Sequence, residues 1–251
     1  MLVIINADDL GASAETNKTI FHEIAAGRVT SATILANGPA FEDAVDGVRD
    51  FPHCSFGVHL NLTEYEPLTT VGPLRSRLNG SGELNFGLRY ARFSLSELRA
   101  VYTEFAAQVR HAKQAGIPVS HLDSHHHIHT RFDFLPLVKL LQHEFGIGRV
   151  RARLNLYLLR EPARPAVRLA IPLYNAWLRR LPRTRTTDCM ARLAVFIEHL
   201  EAGWPPNFRS VELMVHPGLK EPSYQAECEL LRGAWLSSLG PGVRLGSFWD
   251  L

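Results

Sequence analysis

Short β-rich runs recur along this chain, and a stretch of helical period follows most of them. No other feature narrows the fold so far. LVIIN (2–6), VTSATILAN (29–37), CSFGVHLNL (54–62), IPVSHLD (117–123), RVRARLN (149–155), VELMVH (211–216) and VRLGSFW (243–249) read as seven strands. LVIIN is a continuous apolar run, the mark of a buried strand. Helical period fills ETNKTIFHEIAAG, FEDAVDGVRD, SLSELRAVYTEFAAQVRHAKQAG and FLPLVKLLQHEFG between them. Gly27 stops the first helix, and the third opens on a capping box, Ser94 with Glu97, and closes at Gly116. Such alternation predicts an α/β protein, with parallel strands inside and helices outside. Seven strands in 251 residues favour a deformed (β/α) TIM-like barrel forming a single domain over 1–251. Neither a GxGxxG nor a GxxxxGK[ST] motif occupies the first strand–helix turn, which weighs against nucleotide binding.

The strand ends are unusually polar. The first run leads into Asp8-Asp9, the third carries His59, the fourth ends in Asp123 and SHHHIHT, and the sixth ends in His216. Five of the twelve histidines (His121, His125, His126, His127 and His129) fall within nine residues. Barrel enzymes carry their chemistry at the C-terminal ends of strands. Carboxylates and imidazoles gathered there suit a divalent ion with oxygen and nitrogen ligands, such as zinc or magnesium. Neighbours on one face of a strand are ~7 Å apart, so the histidine cluster supplies one or two ligands to a single ion unless the backbone bends sharply. The rest are expected to support those ligands, touch substrate or stand by. Each feature also has a plain reading: Asp-Asp as a turn and helix cap, His59 as a core histidine, His-Pro-Gly as a turn.

Composition excludes little. Net charge is +2, so no nucleic-acid partner is expected. Three scattered cysteines without a CxxC pair suggest neither a disulfide framework nor a thiolate zinc site. The opening apolar run is too short for a signal peptide, and LAIPLYNAWL is interrupted by Pro172 and Asn175, so a cytoplasmic protein is expected. Charge is uneven, however: residues 149–192 hold eleven arginines against Glu161 and Asp188, a local balance of +9. This segment reads either as a surface helix with its arginine stems along apolar surface, or as an amphipathic substrate flap meeting an anionic or lipid-linked molecule. Peripheral membrane contact and a homodimer stay open.

NADDLGAS, GRVTSATILANGP, GVHLNLTE, HLDSHHHIH and the late HPG together resemble the YdjC-like carbohydrate deacetylases, over the first ~150 residues in order and spacing. Leu10 stands where that family usually has Phe, an apolar exchange. The resemblance implies a deformed barrel holding one divalent ion, Mg2+ or Zn2+, and hydrolysis of the N-acetyl group of a sugar, chito-oligosaccharide-like or lipid-linked (hopanoid-type), by water activated on that ion. It implies Asp9, His59 and His125 as metal ligands, Asp8 as general base and His216 as general acid. Asp123, His127, His129 and Arg151 are assigned to supporting or substrate-binding positions, with Asp123 expected to orient a ligating imidazole. Other barrel metal hydrolases, amidohydrolases or phosphoesterases, usually carry HxH where Asp8-Asp9 stand here. A non-catalytic metal- or sugar-binding protein has no need of Asp8 or His216.

Overall fold

The computed structural model describes residues 1–70, 72–161, 164–180, 184–203 and 207–251. Its strands are β1 (Leu2–Leu10), β2 (Ser31–Ile34), β3 (Ser55–Leu60), β4 (Val119–Ser124), β5 (Cys189–Arg192), β6 (Ser210–Val215) and β7 (Arg244–Leu245). All pairings are parallel, in the order β4-β3-β2-β1-β6-β5, with β7 beside the start of β1. The helices are α1 (Ala14–Ala25), α2 (Phe41–Val48), α3 (Leu95–Gln114), α4 (Leu135–Phe145), α5 (Pro165–Arg180), α6 (Leu193–Glu201) and α7 (Pro222–Arg232). The Ser94–Glu97 capping box forms as expected.

Period-two alternation separates two environments. Val3, Ile5 and Ala7 of β1, Val58 and Leu60 of β3 and Leu213 and Val215 of β6 join the main apolar core beneath the helices. Leu2 and Ile4, on the other face of β1, pack with Phe248 in a separate cluster. The same inward face continues into Asn6 and Asp8, and the neighbouring strands add Thr33, His59, Asp123 and Glu212, all buried. The interior is therefore apolar at the N-terminal end of β1 and polar toward the C-terminal end. Gly57 leaves room in this interior: a Cβ there would stand 2.5 Å from the His121 ring, which stacks on Phe248 at 3.5 Å.

Two strand expectations need correction, and the structure adds one strand. RVRARLN is not a regular strand. It bridges β4 once (Leu122 with Val150) and Arg185 once (Arg149 with Arg185). Residues beyond Arg151 then leave β4, and Asn155 donates its backbone N–H to the Met190 carbonyl. One bridge on each side fills the gap between β4 and β5 but sustains no ladder. The strand in that part of the chain is CMAR, four residues running straight into α6, too short to show a period. The seventh strand is only Arg244–Leu245, because Ser247 caps a short 3-10 turn at Phe248–Asp250. In the arginine-rich segment 149–192, positions 162–163 and 181–183 lie outside the described residues. The rest of it forms the irregular bridge, α5 and β5.

Candidate active site

Successive side chains of a strand point to opposite faces, so Asp8 and Asp9 cannot both face the barrel mouth from regular β-structure. β1 escapes the rule with an irregularity between Ala7 and Leu10 in its pairing to β2. At its centre Asp9 takes φ 67°, in the left-handed region. A non-glycine residue there is strained and persists only where its surroundings impose it. Gly11, at φ 93°, completes the turn and its N–H donates to Asn17 Oδ1. The histidine run bends in the same way: His126 (φ 51°) and His127 (φ 55°) are both left-handed, which turns the chain sharply just after His125.

The two bends bring Asp9, His59 and His125 to one point. Asp9 Oδ1 lies 2.8 Å from His125 Nδ1 and 3.3 Å from His59 Nε2. Donor atoms around one ion at ~2.1 Å stand ~3.0–3.4 Å apart, so this spacing suits a shared cation. Asp9 Oδ1 is also buried with no hydrogen bond of acceptable geometry, as expected of an oxygen aimed at an ion rather than a proton. Each imidazole has a carboxylate at its far nitrogen. Asp123 Oδ1 is 2.7 Å from His59 Nδ1, and Glu64 Oε2 is 3.4 Å from His125 Nε2. Such outer carboxylates fix the tautomer and heading of metal-binding histidines.

Electrostatics point the same way. Asp8, Asp9 and Asp123 are buried together and Arg151 is the cation among them, so three negative charges meet one positive and two remain. Burial works against a charged His59, yet Asp123, Asp8 and Asp9 outweigh it and hold the imidazole up at about 10. Burial likewise opposes charge on His125, while Asp9 and Glu64 raise it to about 9. Without an ion, two protonated imidazoles supply the missing charge that a divalent cation carries when bound. The residues therefore fit such an ion.

Asp8 is gripped differently. Arg151 donates from Nη2 to Oδ1 at 2.6 Å and from Nη1 to Oδ2 at 2.7 Å, and Asn6 Nδ2 donates to Oδ1 at 2.8 Å. Burial alone would raise the Asp8 carboxyl, but the Arg151 guanidinium beside it holds it well below the usual carboxylate range. Arg151 is itself fully buried and also meets Asp123 Oδ2 at 2.7 Å and Glu212 Oε1 at 2.6 Å. Burial lifts the Glu212 carboxyl to about 7 despite the arginine.

Asp8, Asp9, His59, His125, His127 and His216 line one cleft of about 380 Å³ with Glu64, Tyr65, Arg89, Arg192 and Tyr224. His216 stands on Glu227, whose Oε2 accepts the backbone N–H at 2.9 Å and lies 3.1 Å from Nδ1. Asp123 and Arg151 lie beneath the cleft floor rather than on it. His129 is fully buried, with its N–H on Ser124 Oγ and its carbonyl on the Tyr174 hydroxyl, so it braces the loop rather than meeting a substrate. His126 turns to the rim, where Nδ1 lies 2.9 Å from Thr63 Oγ1. Sequence reasoning did not single out Glu64, Glu212 or Glu227. Glu212 carried a signal, an acid inside the apolar run VELMVH. Glu227 reads as an ordinary helix-surface residue until α7 packs it against β6.

A family model described as YdjC-like protein matches residues 2–239. A carbohydrate deacetylase of Halalkalibacterium halodurans is 37% identical over 150 residues, 59% of this chain and 62% of that protein. A carbohydrate deacetylase of Vibrio campbellii is 35% identical over 149 residues, 59% of this chain and 57% of that protein. The matches thus span about six-tenths of the curated relatives' lengths. Among solved structures, an Enterococcus faecalis protein provisionally described as a cellobiose-phosphate cleavage protein superposes with TM-score 0.77 at 22% identity, over 99% of this chain and 98% of that one. A lactam utilization protein from Thermus thermophilus reaches TM-score 0.56 at 16% identity, over 98% of this chain and 100% of that one. Both likenesses speak to the fold alone. With the family model running almost the length of the barrel and across every residue of the cleft, this chain belongs to the YdjC-like family.

Proposed function

We propose that this protein is a divalent-metal-dependent deacetylase that hydrolyses the N-acetyl group of an N-acetylated sugar. The observation that carries the reading is the convergence of Asp9, His59 and His125 on one point, with Asp8 and His216 lining the same cleft. The names of the relatives from Halalkalibacterium and Vibrio support the carbohydrate class. Asp9, His59 and His125 hold the ion, zinc or magnesium. When bound, that ion lowers the pKa of water from 15.7 toward ~7 and polarises the acetyl carbonyl.

Asp8 stays ionised under Arg151, so it acts as a fixed hydrogen-bond acceptor that orients the attacking water and takes its proton. An amine anion is a poor leaving group and needs a proton as the C–N bond breaks. His216 donates it: the Glu227 carboxylate faces Nδ1 at 3.1 Å and fixes the heading of the ring. Asp123 and Glu64 keep the two imidazoles aimed. Tyr65, Arg89 and Tyr224 offer the sugar hydrogen bonds and ring faces along the cleft.

The test is acetate release from N-acetylglucosamine oligomers, before and after chelation and with metal restored. Asp8→Asn is expected to abolish turnover while the ion stays near stoichiometric. Loss of the ion in Asp8→Asn instead makes Asp8 a ligand and ends this division of roles. His216→Ala is expected to lower kcat by ~10²–10⁴-fold.

A further inference from the structure

Among the described residues of the arginine-rich segment, Arg192 lines the cleft and α5 does not. One face of α5 packs behind the histidine loop: Ile171, Tyr174, Asn175 and Leu178 are buried, and the Tyr174 hydroxyl donates to the His129 carbonyl at 2.6 Å. The outer face is apolar and bare. Leu169, Leu173 and Trp177 recur every fourth residue and are 79%, 51% and 58% exposed. That spacing puts them in one stripe along the helix. Leu158 and Leu159, 40% and 50% exposed, stand just before the helix, and they line an apolar hollow of about 330 Å³ with Arg168, Ile171 and Pro172.

Around this stripe Arg160, Arg164, Arg168 and Arg180 are exposed, and none forms an ion pair with a carboxylate among the described residues. Unpaired guanidiniums flanking Leu and Trp match the two layers of an anionic bilayer, with phosphates outside and acyl chains beneath. We propose that the outer face of α5, with Leu158 and Leu159, docks this protein on the surface of a membrane containing anionic lipid. Charge disfavours a second copy of the chain as occupant, because a symmetric contact would set the two arginine sets against each other. A nucleic acid would use the arginines and leave the Leu–Trp stripe in water. No helix among the described residues is long and apolar enough to cross a bilayer, so the contact is peripheral.

The test uses the full chain with vesicles of phosphatidylcholine, with and without phosphatidylglycerol, at low and high salt. The wild type is expected to co-sediment with the phosphatidylglycerol vesicles at low salt and to be released by high salt. The double variant L169E/W177E, whose side chains touch nothing in the cleft, is expected to bind about tenfold or more weakly while acetate release from a soluble sugar is unchanged. Quenching of wild-type tryptophan fluorescence by brominated acyl chains checks insertion without any variant. The proposal is overturned if the wild type does not sediment, if L169E/W177E sediments as well as the wild type, or if brominated lipid quenches nothing. A concentration-dependent dimer that L169E/W177E dissolves would overturn it equally.

Discussion

Arg151 is where the buried charge of this protein is balanced. Its guanidinium reaches Asp8, Asp123 and Glu212 with no solvent exposure. Removing one partner of such a network leaves charges without compensation in a low-dielectric interior, at ~3–5 kcal/mol. Arg151→Met is therefore expected to lower unfolding free energy by about that amount in urea titrations. Arg151→Lys keeps the charge but not the two-pronged hold on Asp8, and its stability should fall between the two. Unchanged stability in Arg151→Met would show that the carboxylates are paired by other means. With the ion on Asp9, His59 and His125 as proposed, Asp123 supports it through the His59 imidazole, so Asp123→Asn should weaken metal binding by ~10–100-fold in a chelator competition, with the ligands themselves intact.

Among the elements, β1 and the turn after β4 do the positioning, each by breaking its own regularity. Asp9 at φ 67° and His126 and His127 at φ 51° and 55° give up favourable backbone to converge. β3 contributes by staying small: a methyl at Gly57 would meet the His121 ring at 2.5 Å, and that ring is clamped by Phe248. Gly57→Ala is expected to cost ~1–3 kcal/mol, because the stacked pair has no room to yield. Thermal unfolding measures this, and a Tm equal to wild type would mean that the His121–Phe248 stack can shift to admit a methyl group.

For the whole molecule, the excess of buried acid ties stability to the ion and to pH. In the metal-free protein His59 and His125 are raised from 6.5 to about 10 and about 9. A raised histidine contributes stability that is fully present below its unfolded value and lost as pH rises through its folded value. Asp8 and Asp9 are depressed and contribute in the opposite sense, above the ordinary carboxylate value of 3.8. Burial holds His121, His126, His127 and His129 below the ordinary 6.5, so beneath that pH the unfolded chain takes up protons that the folded protein does not. Metal-free protein should thus be most stable near pH ~6.5, weakening toward acid and weakening steadily toward pH ~10. Metal-loaded protein, whose imidazoles are already deprotonated on the ion, should lack that alkaline decline. Unfolding temperatures against pH, with and without chelator, measure both limbs. A metal-free sample as stable at pH ~9 as at pH ~6 would contradict the charge count.

By itself the sequence determined the class of fold and the place of the chemistry. Buried parallel strands must be apolar and a barrel's outer helices must alternate with them, so LVIIN, CSFGVHLNL, IPVSHLD and VELMVH are visible in the chain, and Asp8, His59, Asp123 and His216 stand on them or at their ends. Only the tertiary structure decided which atoms meet. RVRARLN has a strand's composition, yet its neighbours accept one bridge on each side and no more. Glu227 reaches His216 from a separate helix, and Glu64 reaches His125 from a loop. Those contacts come from α7 packing on β6 and from β3 pairing beside β4, which sets the loops that follow them side by side, and no local pattern of period two or 3.6 encodes that docking.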